Sequence, residues 1–438
     1  MDIQTKTLIL FAFILFSYFS LIAQLKGEIT QENIEDFPVA VQTINAESKD
    51  LSDLTKDLSK VLKRDLQLSD FFNVLDSRSF LEKPEETAKK IDFKKWLQVG
   101  ANGLVSGSLK KGEKGQMELS LSYHDVPDNK EKLQKKYGVN KKTARKAAHR
   151  FVYELVYFLA GEKLKFLSSK ITFIEKSSEK YHLTVIDFDG ANRKVLFSSS
   201  EIIILPEWSK DGRYIYYTSY AGDNPNLWRI TVKTGKRELI SNHKGLNTSA
   251  TAHPSEEKIA LRLSKDGTSE IYTMNVKTKK LKRMTTNFSI DTAPSYSPDG
   301  KEIAFVSNRS GNPHIYRLFT DNPSRVERLT SQGNYNQDPD YSPDGRYIAF
   351  TGRDEKYMFD VFLFDTETRS ISRVTQNQGK NETPSFSPDG RLLVFSSDRT
   401  GREDLYISNK DGDIQLRIYR GKNRSIMPSW SPEIIMAE

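Results

Sequence analysis

The chain has 438 residues, enough for two domains, and its 66 Lys and Arg against 58 Asp and Glu give a formal net charge of +8. It contains no Cys, which excludes disulfides, thiol chemistry and a lipid-modified N-terminal cysteine. Only six His are present, at positions 124, 149, 182, 243, 253 and 314.

Residues 8–23 are an apolar run preceded by Lys6. The run is short for a membrane span and suits the hydrophobic region of a secretory signal peptide. We expect a signal peptide over residues 1–23, cut after Ala23. Leu21 at the −3 position is bulkier than such a cut prefers, which leaves an uncleaved anchor as the alternative. No later segment is apolar enough to cross a membrane. The expected mature protein is exported and soluble.

Residues 37–163 read as a small α/β domain. Phe37-Pro-Val-Ala-Val-Gln-Thr-Ile44 predicts a strand. Leu51, Leu54, Leu58, Val61, Leu62 and Leu66 recur at helical spacing, with Ser52 and Asp53 as candidate caps. Phe72–Leu75 predicts a strand and Glu85–Trp96 a helix. Two strands follow, near 103–109 and 117–123. Lys141–Leu159 predicts a last helix with Ala144, Ala148, Phe151, Val152, Leu155 and Phe158 on one face. Gly161 and the polar stretch after it read as a hinge. The basic segment Lys130–Arg150 suits a nucleic-acid or anionic-lipid patch by charge alone. No aromatic platform interleaves with it, so a solvated loop and helix face is the expectation, and no nucleic-acid partner is expected.

From residue 164 the chain repeats. Pro294-Ser-Tyr-Ser-Pro-Asp-Gly300 returns as Pro339-Asp-Tyr-Ser-Pro-Asp-Gly345 and Pro384-Ser-Phe-Ser-Pro-Asp-Gly390, with weaker copies at Pro206 and around Ala250. A truncated copy, Pro428-Ser-Trp-Ser-Pro432, lies near the C-terminus. The third position of each copy falls at Trp208, Ala252, Tyr296, Tyr341, Phe386 and Trp430, in steps of 44, 44, 45, 45 and 44 residues. Such a period marks a repeat architecture. Each unit reads as four short antiparallel strands separated by turns, the first turn set by Pro-Asp-Gly. One four-stranded sheet cannot bury both faces, whereas radial repetition does. Ile171-Thr-Phe-Ile174, Leu183-Thr-Val-Ile186 and Lys194-Val-Leu-Phe197 supply the second, third and fourth strands of a unit whose first strand is missing there. The orphan first strand is 428–432. The predicted fold is therefore mainly β: a six-bladed β-propeller over residues 164–438, closed into a ring by strand 428–432 and preceded by the small α/β domain.

The signal peptide, the small α/β domain and the blades built on Pro-x-aromatic-Ser-Pro-Asp-Gly together resemble the TolB family of the Tol-Pal envelope system. The resemblance covers nearly the whole mature chain. It implies a non-enzymatic periplasmic adaptor. The propeller would bind a Pal-like peptidoglycan-associated lipoprotein, and an extended N-terminus would bind a TolA-like inner-membrane protein. It further implies support of outer-membrane integrity and constriction at division, with no cofactor. The N-terminal segment would be residues 24–36, with Glu28, Ile29 and Thr30 as contacts. Lys26-Gly-Glu-Ile-Thr-Gln-Glu-Asn33 is more polar than the family pattern.

In a propeller the loops entering the innermost strands surround one mouth of the central channel. Here the candidate mouth residues are Ile204 and Leu205; Asn247, Thr248 and Ser249; Asp291 and Thr292; Gln337 and Asp338; Glu382 and Thr383; Ser425 and Ile426. Their mixture of small polar, acidic and apolar groups suits a wet protein contact. Asp291, Asp338 and Glu382 have the alternative role of capping their turns. A propeller hydrolase would need Gly-x-Ser-x-Gly, and the nearest string, Gly103-Leu-Val-Ser-Gly107, has the wrong spacing. His243, His253 and His314 occupy different repeat positions and are not expected to share a metal. Asp187-Phe-Asp-Gly190 and Asp411-Gly-Asp413 read as turns rather than calcium loops. An exported propeller for a glycan or another lipoprotein is the alternative function. A closed ring suggests a monomer that meets membranes only through its partners.

Overall fold

The structure is a computed structural model and describes residues 37–113, 116–354 and 356–434. The expected signal peptide and the segment 24–36 lie outside the described residues. The chain divides into two compact units, one ending at Lys163 and one beginning at Leu164.

The first unit is built on a six-stranded mixed sheet. Pro38–Val41 pairs in parallel with Asn73–Val74 and with Gly103–Lys111, which also takes the short strand Asn45–Ala46. Met117–Asp125 and Lys130–Val139 continue the sheet antiparallel. Helices Ser52–Leu68 and Ala144–Ala160 pack on each other and on the sheet. Leu58, Leu62, Leu66, Phe151, Val152 and Leu155 are fully buried between them.

Four expectations change here. Ser52 and Asp53 do not cap their helix, because a 3-10 turn Lys49–Leu51 runs directly into it and Leu51 occupies the cap position. The helix expected at 85–96 is two pieces, Pro84–Thr87 and Phe93–Gln98. The buried Glu82 carboxylate accepts from Thr87 Oγ1, the Asp92 amide and Trp96 Nε1 at 3.0, 3.0 and 2.7 Å, which folds the chain around it. Phe158 is 52% exposed, since the buried stripe runs through Ala147 and Val156 instead. The basic segment is a strand, not a loop, up to Val139. It lies at the edge of the sheet, where lysines discourage strand addition. Lys132 and Lys135 are paired with Asp128 and Glu154.

The second unit is six four-stranded antiparallel sheets. Blades 1 to 5 begin with inner strands Ile203–Trp208, Asn247–Ala252, Asp291–Tyr296, Asn336–Tyr341 and Asn381–Phe386. Blade 6 takes Arg424–Trp430 as its inner strand, hydrogen-bonded to Lys170–Lys176, followed by Tyr181–Asp187 and Lys194–Ser199. This strand begins before Pro428 because Arg424, Ser425 and Ile426 already pair with Lys176, Glu175 and Ile174. Each inner strand touches the next, and Arg424–Trp430 touches both Asn381–Phe386 and Ile203–Trp208, so the ring is closed. Facing blades share apolar layers: Ala304, Val306 and Ile315 of blade 3 pack on Tyr341, Ile348 and Phe350 of blade 4.

The repeated phrase folds as one turn. Ser297 Oγ donates to Asp299 Oδ1 at 2.7 Å, and that oxygen also accepts from the Lys301 amide at 3.0 Å. The Glu302 amide donates back to Ser297 Oγ at 2.9 Å. Gly300 sits at φ 73°, and an added Cβ would lie 2.4 Å from His253 Nε2. The weak copy in blade 2 has no Asp-Gly. There His253 Nδ1 accepts from the Ser255 and Glu256 amides at 3.1 Å each, closing the turn by other means.

Candidate docking face and channel

Strand order fixes two faces. Each inner strand runs from the entering loop to the Pro-Asp-Gly turn, and its neighbours alternate. The entering loops and the loops between second and third strands therefore share one face, the mouth face. The Pro-Asp-Gly turns lie on the other.

Every inner strand carries a bulge at the same place. The bulged residues Leu205, Ser249, Ala293, Asp338, Thr383 and Met427 all have φ between 50° and 56°. Left-handed backbone is unfavourable for side chains with a Cβ by roughly 1 kcal/mol or more each, and six-fold repetition shows that ring closure imposes it. Pro follows in five blades and Ala250 in the sixth. Proline has no amide hydrogen, so the bulge leaves no buried donor at that residue. The bulged residues, the prolines and the next residues of all six blades line a channel cavity of about 120 Å³.

The residues after the prolines staple the blades. Ser295 Oγ accepts from the Tyr341 amide at 3.1 Å, Asp340 Oδ2 from the Phe386 amide at 2.7 Å, and Ser385 Oγ from the Trp430 amide at 3.0 Å. At the closing joint Ser429 Oγ donates to Glu207 Oε2 at 2.9 Å.

The residues singled out from sequence fall into three classes. Asn247 and Asp291 begin their strands, Ser425 is the second residue of its own, and all three are fully buried. Asn247 Oδ1 accepts from Ser241 Oγ and the His243 amide, and Asp291 Oδ2 accepts from Arg309 and Asn287. These two carboxamide and carboxylate groups hold loops in place. Ile204, Thr248, Thr292, Gln337, Glu382 and Ile426 come next, and only Thr248 of these is buried. Leu205, Ser249, Asp338 and Thr383 are bulged residues on the channel wall. Ala293 and Met427 complete that ring, and Glu207 and Asp340 stand beside it. Sequence reasoning did not single out these four, because it counted from the loops and not from the bulge. Glu28, Ile29 and Thr30 lie outside the described residues.

Acidity in the channel is unusual. Burial, with the Asp340 charge second, pushes the Glu207 carboxyl up to about 8. Burial and then Glu382 raise Asp338 to about 7. Burial raises Asp340 to about 6, against the pull of the Phe386 amide. Among the described residues no group of three or more His, Asp and Glu is placed to hold a metal.

A pH dependence follows. Unfolded, Glu207 ionises near its ordinary 4.5, and folded near 8. Between these values the folded state holds the extra proton, so stability falls as pH rises through the window. Glu207 is half-buried rather than sealed, which softens the burial penalty and leaves about 1–3 kcal/mol between about pH 5 and about pH 8. Urea unfolding of Glu207→Gln is expected to show the variant gaining that much on the wild type across the window. A difference that stays constant with pH would refute the assignment.

The mouth face also carries the exposed apolar groups. Phe288 is 100% exposed, Tyr357 68%, Ile290 49%, Ile202 41% and Tyr220 36%. All five lie in entering loops or in loops between second and third strands. The remaining large exposed hydrophobic among the described residues of the propeller, Leu239, is on an outer strand. Where blade 3 has Phe288, blades 2, 4, 5 and 6 have Lys244, Gly333, Gln378 and Lys422. Aligning the loops between repeats would have exposed this departure.

A family model described as the TolB beta propeller domain matches residues 157–434, and one described as the TolB amino-terminal domain matches residues 25–132. The chain is 36% identical over 240 residues to the Tol-Pal system protein TolB of Anaeromyxobacter dehalogenans, covering 54% of each. It is 33% identical over 200 residues to the protein of the same name from Chromobacterium violaceum, covering 46% of each. The match thus spans about half the length of these curated relatives. The crystal structure of TolB from Acinetobacter baumannii superposes with a TM-score of 0.78 at 28% identity, over 90% of this chain and 96% of that one.

Proposed function

The chain belongs to the TolB family, and from that membership we propose that it is a non-enzymatic periplasmic adaptor of the Tol-Pal envelope system. Its propeller docks a Pal-like peptidoglycan-associated lipoprotein on the mouth face. The observation that carries this reading is the gathering of Phe288, Ile290, Tyr357, Ile202 and Tyr220 on the face that carries the entering loops. Large exposed apolar side chains gathered on one face, with polar groups among them, suit a protein contact.

The N-terminal segment 24–36, with Glu28, Ile29 and Thr30, is the proposed contact for a TolA-like inner-membrane protein, on the family resemblance alone. The cellular role that follows is support of the outer membrane and of its constriction at division. Cross-linking in intact cells, followed by purification of the tagged chain, is expected to recover the lipoprotein. Recovery of a glycan or of an unrelated lipoprotein in its place would favour a free-standing binding propeller.

A further inference from the structure

Blades 3 and 5 each seal one spot on the mouth face with an arginine of their own. In blade 3 the Arg309 guanidinium carbon lies 5.3 and 5.1 Å from the ring centres of Phe305 and Tyr316. The group donates to Ser307 Oγ at 2.8 Å and Asp291 Oδ2 at 2.9 Å. In blade 5 Arg399 lies 5.5 and 4.3 Å from Phe395 and Tyr406, and donates to Ser397 Oγ and Asn381 Oδ1, each at 2.9 Å. Both blades spell Ser-x-Arg after the second strand: Ser307-Asn308-Arg309 and Ser397-Asp398-Arg399.

Blade 4 spells Gly352-Arg353-Asp354 instead. The aromatic pair and the asparagine of the cradle are kept, while Gln415, which accepts from Arg399 at 2.7 Å, is replaced by Ile371. Phe350 and Phe362 stack at 5.6 Å and 19°, as Phe395 and Tyr406 do at 6.2 Å and 19°. Asn336 stands where blade 5 has Asn381. A cavity of about 330 Å³, lined by Asn336, Phe350, Gly352, Asp354 and Phe362 among others, occupies the region that the sister blades fill with a guanidinium.

One polar atom there is left over. Asn336 is 2% exposed. Its Nδ2 donates to the Gln332 carbonyl and to Thr330 Oγ1, each at 3.0 Å, and lies 3.1 Å from His314 Nδ1. A carbonyl oxygen only accepts, so the amide cannot be turned round. Oδ1 thus borders the cavity, 3.1 Å from where a Cβ on Gly352 would sit, and has no hydrogen-bond partner among the described residues. The equivalent oxygen of Asn381 takes the Arg399 guanidinium. Of the charges around the notch, Arg373 is neutralised by Asp354 and Asp360. Arg353 is drawn over Tyr335 and Tyr357, 5.4 and 5.2 Å from their centres, and donates to Asn334 Oδ1.

We propose that this notch receives an arginine side chain from the protein docked on the mouth face. The inference rests on the docking reading above and names one contact within it. The notch keeps the aromatic pair and the oriented asparagine acceptor that hold Arg399, with the Arg373–Asp354 ion pair on its wall, Arg373 lying 5.5 Å from the Phe362 ring centre. Lysine fits it poorly, because an ammonium neither stacks flat on the rings nor spreads its donors in a plane. The exposed Tyr357 beside it and the channel-mouth residues Gln337 and Asp338 of the same blade place the notch within the docking face.

The test uses the full mature chain. Gly352→Ser with Asp354→Arg rebuilds Ser-x-Arg and plugs the notch from within. A Cβ on residue 352 would lie 2.8 Å from Phe362 Cδ2, so that ring must shift, and Asp354→Arg alone serves as the second variant. Asp321→Arg makes the same charge change at an exposed site on the opposite face. With N-acetyl-arginine amide, NMR is expected to show saturable shifts at the Gly352 amide and the Asn336 side chain. These should vanish in both plugged variants and be absent with N-acetyl-lysine amide. Titrated with the soluble domain of the peptidoglycan-associated lipoprotein, the plugged variants should lose about tenfold in affinity and Asp321→Arg should not. No saturable shift, shifts that survive plugging, or preference for N-acetyl-aspartate amide would overturn the notch. Unchanged lipoprotein affinity in plugged variants would overturn the partner's arginine as its guest. If the wild type fails to bind the lipoprotein, the docking reading fails, and the arginine-amide titration still decides the notch.

Discussion

Ending the chain at Asn423 is expected to abolish cooperative unfolding of the propeller, and Trp430→Ala in the full chain is expected to cost about 3–5 kcal/mol. The effect is large because one strand makes three joints. Residues 424–430 supply the whole inner strand of blade 6. They also touch the inner strands of blades 5 and 1. Trp430, 5% exposed, donates from Nε1 to Ser169 Oγ at 2.6 Å, so truncation removes an aromatic core group and leaves a buried hydroxyl without its donor. Ser431 adds a reciprocal pair with the backbone of Lys170 at 2.8 Å. Without this strand, Lys170–Lys176 becomes an open edge and invites association. Urea unfolding followed by tryptophan fluorescence, with light scattering, reads both consequences. A truncated chain that unfolds in one transition at the wild-type midpoint would show that the ring is held elsewhere.

The period was legible because turn chemistry is local. Ser-Pro-Asp-Gly closes the same hydrogen bonds in each strong copy, so the letters repeat wherever the geometry does. Ring closure was legible for a related reason: an unpaired first strand at one end and a unit lacking one at the other have a single economical solution. The bulge was not legible. Leu205, Ala293 and Met427 are residue types that avoid positive φ, and nothing local asks them to adopt it. The requirement comes from six strands converging on one axis. For the same reason Glu207 and Asp340 gave no signal, since their proximity is set across the channel by the fold.

In the first unit, local patterns misled where a single buried group overrode them. Glu82 gathers three donors and breaks a helix that the spacing of residues 85–96 favours. The strand Lys130–Val139 was hidden by its lysines. At a sheet edge such charges are compatible with pairing on one side only, and composition alone resembles a loop. The candidate docking face was hidden differently. Single apolar residues in loops mean little until the strand order puts five of them on one face.

Phe288→Asp with Ile290→Asp is expected to weaken lipoprotein binding by about 100-fold or more, roughly 3 kcal/mol, with stability changed by less than about 0.5 kcal/mol. The stability half follows from exposure: Phe288 is 100% exposed and Ile290 49%, so neither carries the core. The binding half follows from presentation. The Asn287 amide donates to Glu270 Oε1 at 2.9 Å and its side chain to Asp291 Oδ2 at 2.7 Å. The Ser289 amide returns to Asn287 Oδ1 at 2.6 Å, and the Ile290 amide donates to Asn308 Oδ1 at 2.8 Å. Four hydrogen bonds thus fix a loop that ends in an uncovered aromatic ring. A group held ready in this way loses little freedom on docking, so most of its burial, about 1.5–3 kcal/mol per side chain, appears as affinity. Calorimetric titration of wild type and double variant with the soluble lipoprotein domain measures it directly. Equal affinities would mean that the apolar cluster covers nothing and that the lipoprotein docks away from the mouth face.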